Sequence, residues 1–253
     1  MVMTTLSAPG STVMDPRLFM RLMPETGQLF SIMNPVFTSS SGLVVQFIGA
    51  HHDEGVSTIA RDFALTAAQY VDGSVLLLDF DWGRDSHFAY FQQVLRQSGR
   101  ALALAELEKT LDLEIDLTPM VRLPGQPLVQ HLFSFHALPE TRLLFGRPHS
   151  GLGSTPELTP CILNRPDCWA ALRQKVMLTV VDSPPGSQSF DGIVASSAMD
   201  AVLLVVRAES TRMPVVENLR DRLLRYGAPL AGLVLNQRRF YIPNWIYRLM
   251  GRM

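Results

Sequence analysis

The chain has 253 residues, of which 47% are hydrophobic and 18% charged, with a formal net charge of −1. Charge this sparse beside this much apolar content excludes intrinsic disorder, and the near-neutral balance argues against nucleic-acid binding through bulk electrostatics. The length permits a sizeable core, as one large domain or two small ones. Of the 22 basic residues only Lys109 and Lys175 are lysines, so any site that needs a lysine depends on those two positions. The two cysteines, Cys161 and Cys168, cannot build a disulfide framework or a paired zinc motif, and they read as buried apolar thiols. No run of eighteen apolar residues occurs, and Met1–Gly10 lacks a basic region followed by an apolar one, so a cytoplasmic protein is expected.

Residues 1–40 hold Pro9, Pro16, Pro24 and Pro35 among several Ser and Thr, with a short amphipathic stretch at Leu18–Met23. They read as an N-terminal arm, flexible at its start, ahead of a single domain over 41–253. Apolar runs of strand length follow at Leu43–Ile48, Val75–Leu78, Arg142–Phe145, Val176–Val181, Ala201–Val206 and Leu230–Leu235. They do not alternate with polar residues, which suits strands buried on both faces of a parallel sheet. Helical stretches fall between most of them, at Ser57–Tyr70, Phe88–Arg96 and Pro214–Tyr226. Strand–helix alternation predicts a doubly wound, mostly parallel α/β domain. Residues 101–170 are the least regular part, and no internal repeat stands out.

In open parallel sheets, ligands bind beyond the carboxyl ends of the strands. The first run leads into Gly49-Ala50-His51-His52-Asp53-Glu54-Gly55-Val56-Ser57-Thr58 and then a helix. Such a loop suits a phosphate, because free backbone N–H groups converge at a helix N-terminus. The second run ends in Asp79-Phe80-Asp81, and the fourth in Asp182-Ser183-Pro184-Pro185-Gly186. Acids in these places can hold Mg²⁺ or orient a nucleophile. The last run ends in Asn236, whose amide suits a base edge. A lone Asp at a strand end is ordinarily a turn or cap residue. Three such ends beside a phosphate-type loop, in chain order, describe a nucleotide-type site.

The succession DEGVST, VLLLDFDWGR, VMLTVVDSPPG, AVLLVVRAESTR and GLVLNQRRFYIPNWIYRLM resembles the bacterial tyrosine kinases, MinD/ParA-like P-loop ATPase domains of capsule and exopolysaccharide synthesis. The likeness spans roughly residues 42–253. STPELTPCILNRPDCWAALRQKV also looks like the family's helix entering the Walker B strand. The resemblance implies a P-loop NTPase-like fold. It implies a nucleotide site of Gly49, Asp53, Glu54, Gly55, Val56, Ser57, Thr58 and Asn236, and Mg²⁺ held by Ser57, Asp79 and Asp182. Asp79, Asp81 and Asp182 would be the catalytic acids in Walker A′ and Walker B positions. It implies a membrane-embedded polysaccharide co-polymerase or chain-length regulator as partner, with self-association as a further feature and no nucleic acid. The chain would then sit in the cytoplasm, at the inner membrane only through that partner.

The match fails where the chemistry is strongest. The family's phosphate loop reads like PGEGKST, and here Val56 stands at the lysine and Asp53 at a glycine. Valine carries no charge and donates no hydrogen bond, and a lost charge-assisted contact costs roughly 1.5–3 kcal/mol. Asp53 adds negative charge where phosphates would lie. The family's Glu-x-x-Arg-x-x-Arg subunit motif is not recognisable, since Arg17 and Arg21 have the wrong spacing. Only Tyr241 and Tyr247 of the five tyrosines lie near the end, so no phosphoacceptor cluster is evident. Beyond Asn236 come Arg238, Arg239, Arg248 and Arg252 with no acid, and Trp245, Ile246, Leu249 and Met250 suit a short amphipathic helix for a partner or anionic lipid. The expectation is a catalytically degenerate regulator or scaffold that binds no cofactor, or Mg-ATP or ADP weakly. The rivals are an active ATPase or tyrosine kinase and a MinD/ParA-like positioning protein. A dinucleotide oxidoreductase is set aside because Gly-x-Gly-x-x-Gly is absent after the first strand.

Overall fold

The computed structural model describes residues 15–21, 23–33, 42–82, 84, 86–123, 132–149, 152, 155 and 159–237. Seven strands form one sheet in the order β4-β5-β2-β7-β1-β8-β9. These are β1 (Leu43–Gly49), β2 (Val75–Asp79), β4 (Phe133–Ala137), β5 (Leu143–Pro148), β7 (Leu178–Asp182), β8 (Ala201–Arg207) and β9 (Leu230–Asn236). All pairings are parallel except β4 with β5. A separate two-stranded antiparallel ribbon joins β3 (Val121–Arg122) to β6 (Cys161–Ile162). The helices are α1 (Met23–Met33), α2 (Val56–Tyr70), α3 (Ser86–Gln97), α4 (Ala101–Leu107), α5 (Pro166–Lys175), α6 (Asp191–Ser196) and α7 (Met213–Arg225).

Every residue of β1, β2 and β7 is buried, as unalternating apolar runs require when helices cover both faces. Successive side chains point to opposite faces, and the core splits accordingly. Val45, Phe47, Leu77 and Val180 join Phe63 of α2 and Phe91 of α3 on one side. Val44, Ile48, Leu76 and Val181 join Trp169 and Leu172 of α5 and Leu219 of α7 on the other.

Several segments depart from the expectation. Part of the stretch read as an irregular arm is ordered as a 3-10 turn at Pro16–Phe19 followed by α1. Buried Phe19 meets Phe91 edge-on at 5.7 Å, and Phe30 stacks on Tyr70 at 5.4 Å. The Thr26 and Thr66 hydroxyls share a buried hydrogen bond of 3.0 Å, and Arg21 N–H donates to Asp62. The β5 run begins one residue later than expected and extends to Pro148, because β4 pairs along it. β7 starts at Leu178 because Val176 still donates to Leu172 as the end of α5. Cys168 is buried as expected, whereas Cys161 is exposed on the β3–β6 ribbon. Among the described residues no helix is long and apolar enough to cross a membrane. The basic, aromatic stretch 238–253 lies outside the described residues.

Candidate functional site

β1 delivers the loop and α2 receives it. The loop reverses through two left-handed residues, Asp53 (φ 62°) and Gly55 (φ 87°). Asp tolerates this region better than most residues, and glycine adopts it without strain. Gly55 is doubly constrained, since a Cβ there would lie 2.1 Å from the Asn236 amide nitrogen. Val56 opens α2 and is buried, and one of its methyls packs close to Gly49. The N-cap Gly55 has no side chain to cap α2, whose first N–H groups, like those of any helix, have no intrahelical partner. Ser57 and Thr58 lie on that first turn, half-buried.

Glu54 is the loop's internal anchor. Only 2% exposed, it accepts hydrogen bonds from the N–H groups of Ala50 (2.6 Å) and His51 (3.1 Å) and from the Thr211 hydroxyl beyond β8. Asn236, read from the sequence as a base-reading amide, donates to the Glu54 carbonyl at 2.8 Å. Gln237 donates to the Asp53 carbonyl at 3.1 Å. The Asp182-Ser183-Pro184-Pro185-Gly186 turn closes the other side, with Gly186 N–H on Gly49 and Ser187 N–H on Ala50. Asp53 itself is exposed.

The acids converge on a different point. Asp79 and Asp182 are register partners at the ends of β2 and β7. Between them stands His87, from the first turn of α3. Its Nε2 lies 3.0 Å from Asp182 Oδ2 and 3.9 Å from Asp79 Oδ2. All three are buried, and their ligand-type atoms lie within 4.8 Å of one another. Asp79 also accepts from Asp81 N–H and the Ser86 hydroxyl, each at 2.9 Å. Burial, and then the charge of Asp182, pushes the Asp79 carboxyl well above the usual carboxylate range. Asp81 is half-buried, with its carboxylate 3.9 Å from exposed Arg84. His87 escaped the sequence reading because the apolar helical pattern starts one residue later, at Phe88. A polar residue just inside that helix, following a strand-end acid, was the signal for it.

The Mg-nucleotide implied by the fold meets two mismatches. Val56 supplies no cation to a phosphate, and the ground between the two acids carries an imidazole nitrogen where Mg²⁺ prefers oxygen. The residues do not fit Mg-ATP as a resident group.

No protein-family model matches the chain, and no curated protein matches it. Solved structures do. The kinase domain of the Escherichia coli tyrosine kinase ETK superposes with a TM-score of 0.60 at 18% identity, covering 95% of this chain and 85% of that one. This chain has the α/β P-loop fold of the bacterial tyrosine kinase domains. The VpsO kinase domain agrees, at TM-score 0.52 and 21% identity over 85% of this chain and 91% of that one. The septum site-determining protein MinD from Pyrococcus horikoshii OT3, complexed with Mg-ADP, gives 0.51 at 12% identity over 82% and 77%. The fold is therefore the one expected, in its MinD/ParA-like form.

Proposed function

We propose that this protein is a catalytically degenerate counterpart of a bacterial tyrosine kinase, serving exopolysaccharide biosynthesis and export as a regulator or scaffold. Its partner is a membrane-embedded polysaccharide co-polymerase or chain-length regulator, which brings it to the inner membrane. The observation that carries this reading is Val56, buried at the head of α2 where the resemblance requires a lysine. Lys109 and Lys175 do not replace it. Lys175 lies on α5 and pairs with Glu114 at 2.9 Å, at the opposite end of β7 from Asp182. Lys109 follows α4 and is exposed.

The remaining contacts support a structural use of the loop. Glu54, Asn236 and Gln237 satisfy its polar groups from within the protein. One observation favours weak nucleotide binding as a second reading, namely that α2 has no side-chain cap and keeps a partial positive charge for an anion. Calorimetric titration with Mg-ATP, combined with a turnover assay, separates the two. The proposal expects no turnover and at most weak heat. Micromolar binding with turnover that disappears in Asp79→Ala would overturn it.

A further inference from the structure

Two cavities adjoin where the β8–α7 junction meets the start of the phosphate loop, and His51 and Val215 line both. The first, about 340 Å³, is walled by His52, Arg207, Ser210, Thr211 and Arg212. The second, about 350 Å³, reaches Ser187, Pro214, Asn218 and Leu219. We infer that the pair forms a binding site for a sugar phosphate, with the phosphate between Arg207 and Arg212 and the sugar toward Ser187 and Asn218. Gly55, Val56, Ser57, Asp79, Asp182 and Asn236 line neither cavity, so this is not the nucleotide position that the fold implies. The inference is independent of the proposed scaffold role, which turns on Val56.

The first cavity carries positive charge that the protein does not use. Arg207 ends β8, and Arg212 is the N-cap of α7. Among the described residues, neither guanidinium has a hydrogen-bond or ion-pair partner. Arg222, in the wall of the second cavity, is engaged instead. It donates to the Gly186 carbonyl at 2.8 Å and stacks over Phe190 at 4.5 Å. Glu54 is the one acid among the described lining residues. Its carboxylate is already committed to the N–H groups of Ala50 and His51 and to the Thr211 hydroxyl. Asp53 and Glu209 are exposed and line neither cavity. Two guanidiniums beside the Ser210 hydroxyl suit a phosphate, because arginine grips one through paired N–H donors. The positive end of the α7 dipole lies at the same wall.

The lining of the second cavity selects the rest of the ligand. Ser187 and Asn218 supply both donors and acceptors, as sugar hydroxyls require. His51 stands where the two cavities meet, with Nδ1 3.4 Å from the Ser187 hydroxyl. Pro214, Val215 and Leu219 offer apolar surface to the C–H face of a sugar ring. No aromatic side chain among the described residues lines either cavity, so a nucleobase finds no stacking platform there. Both cavities lie at the small end of the ligand-pocket range of roughly 300–1,000 Å³, which suits a single monosaccharide unit rather than a polymer.

The test is calorimetric titration of the full chain with glucose 1-phosphate, galactose 1-phosphate and mannose 1-phosphate. Inorganic phosphate and free glucose serve as the two halves of the ligand. At least one sugar phosphate should bind once per chain, with inorganic phosphate at least tenfold weaker and glucose giving no heat. Arg207→Gln and Arg212→Gln should each weaken sugar-phosphate binding at least tenfold. Asn218→Ala should weaken the sugar phosphate and leave inorganic phosphate unchanged. Absence of saturable heat from all three sugar phosphates at millimolar concentration would overturn the inference. So would inorganic phosphate binding as tightly as the best of them, or unchanged binding in a folded Arg212→Gln protein. Arg212 is exposed, so that variant carries the test if Arg207→Gln fails to fold. A chain that binds no sugar phosphate and turns over no ATP would sink this inference and leave the scaffold proposal standing. Turnover of Mg-ATP beside intact sugar-phosphate binding would do the reverse.

Discussion

The Asn236 side-chain amide donates to the backbone carbonyl of Glu54 at 2.8 Å, across 182 residues of chain. This bond ties the end of β9 to the loop that opens α2. The same amide nitrogen sits where a Cβ on Gly55 would have to go.

Gly55→Ala should therefore be destabilising by about 1–3 kcal/mol, from the left-handed backbone and the clash together. Adding Asn236→Ala removes the clash and leaves the backbone cost. Urea unfolding of both single variants and the double should show less than additive loss. Strict additivity would mean the two residues do not meet.

Glu54→Ala strands the buried N–H of Ala50 and leaves the part-buried N–H of His51 to solvent. An unsatisfied buried donor costs roughly 1–3 kcal/mol, so a fall in melting temperature of several degrees is expected. Glu54→Gln keeps the volume and one acceptor oxygen, and it should recover part of the loss. Equal melting temperatures for wild type and Glu54→Ala would show that the carboxylate anchors nothing.

Asp79 sets a pH dependence of known sign. Its folded-state carboxyl is lifted well above the ordinary range by burial and then by Asp182. The folded protein thus keeps a proton that the unfolded chain releases near pH 4. This contribution to stability is complete below that pH and is lost as pH rises through the raised folded value. In EDTA-treated protein, stability should fall with rising pH across that window. Asp79→Asn cannot ionise, so it should flatten the slope and be the more stable protein at pH 7. Urea midpoints from pH 4 to 8 measure both, and a wild-type slope of the opposite sign would refute the assignment.

Restoring the phosphate loop should restore affinity. Val56→Lys with Asp53→Gly returns one charge-assisted contact and removes one negative charge. A gain of about ten- to a hundredfold in Mg-ATP affinity over wild type follows from roughly 1.5–3 kcal/mol per such contact. Calorimetry reads it directly. No gain would mean that Glu54 and His87 hold the site in a form that phosphates cannot enter.

The parallel strands were legible because β1, β2, β7 and β8 are covered on both faces, so their apolar runs needed no period to be recognised. β4 was missed because Phe133–Ala137 is short, partly exposed and defined by antiparallel pairing with β5. α6 has six residues, too few for a helical period to emerge. At the site, Asp79 and Asp182 were legible as strand ends. The part played by Glu54 was not, because its carboxylate direction depends on Thr211, 157 residues away. Asn236 was placed at the right loop, yet its amide partner is the protein backbone, which spacing alone does not reveal.

The lacing of the loop has a consequence for signalling. Glu54 from inside, Asn236 and Gln237 from β9, and Gly186 and Ser187 from the turn after β7 all hold it. A ligand shifts an equilibrium only between states that it tells apart. A loop fastened on three sides must break several of these bonds before it can take a second shape for an anion. Information passing through this protein would then travel by which surface is present and where, rather than by a loop that opens and closes.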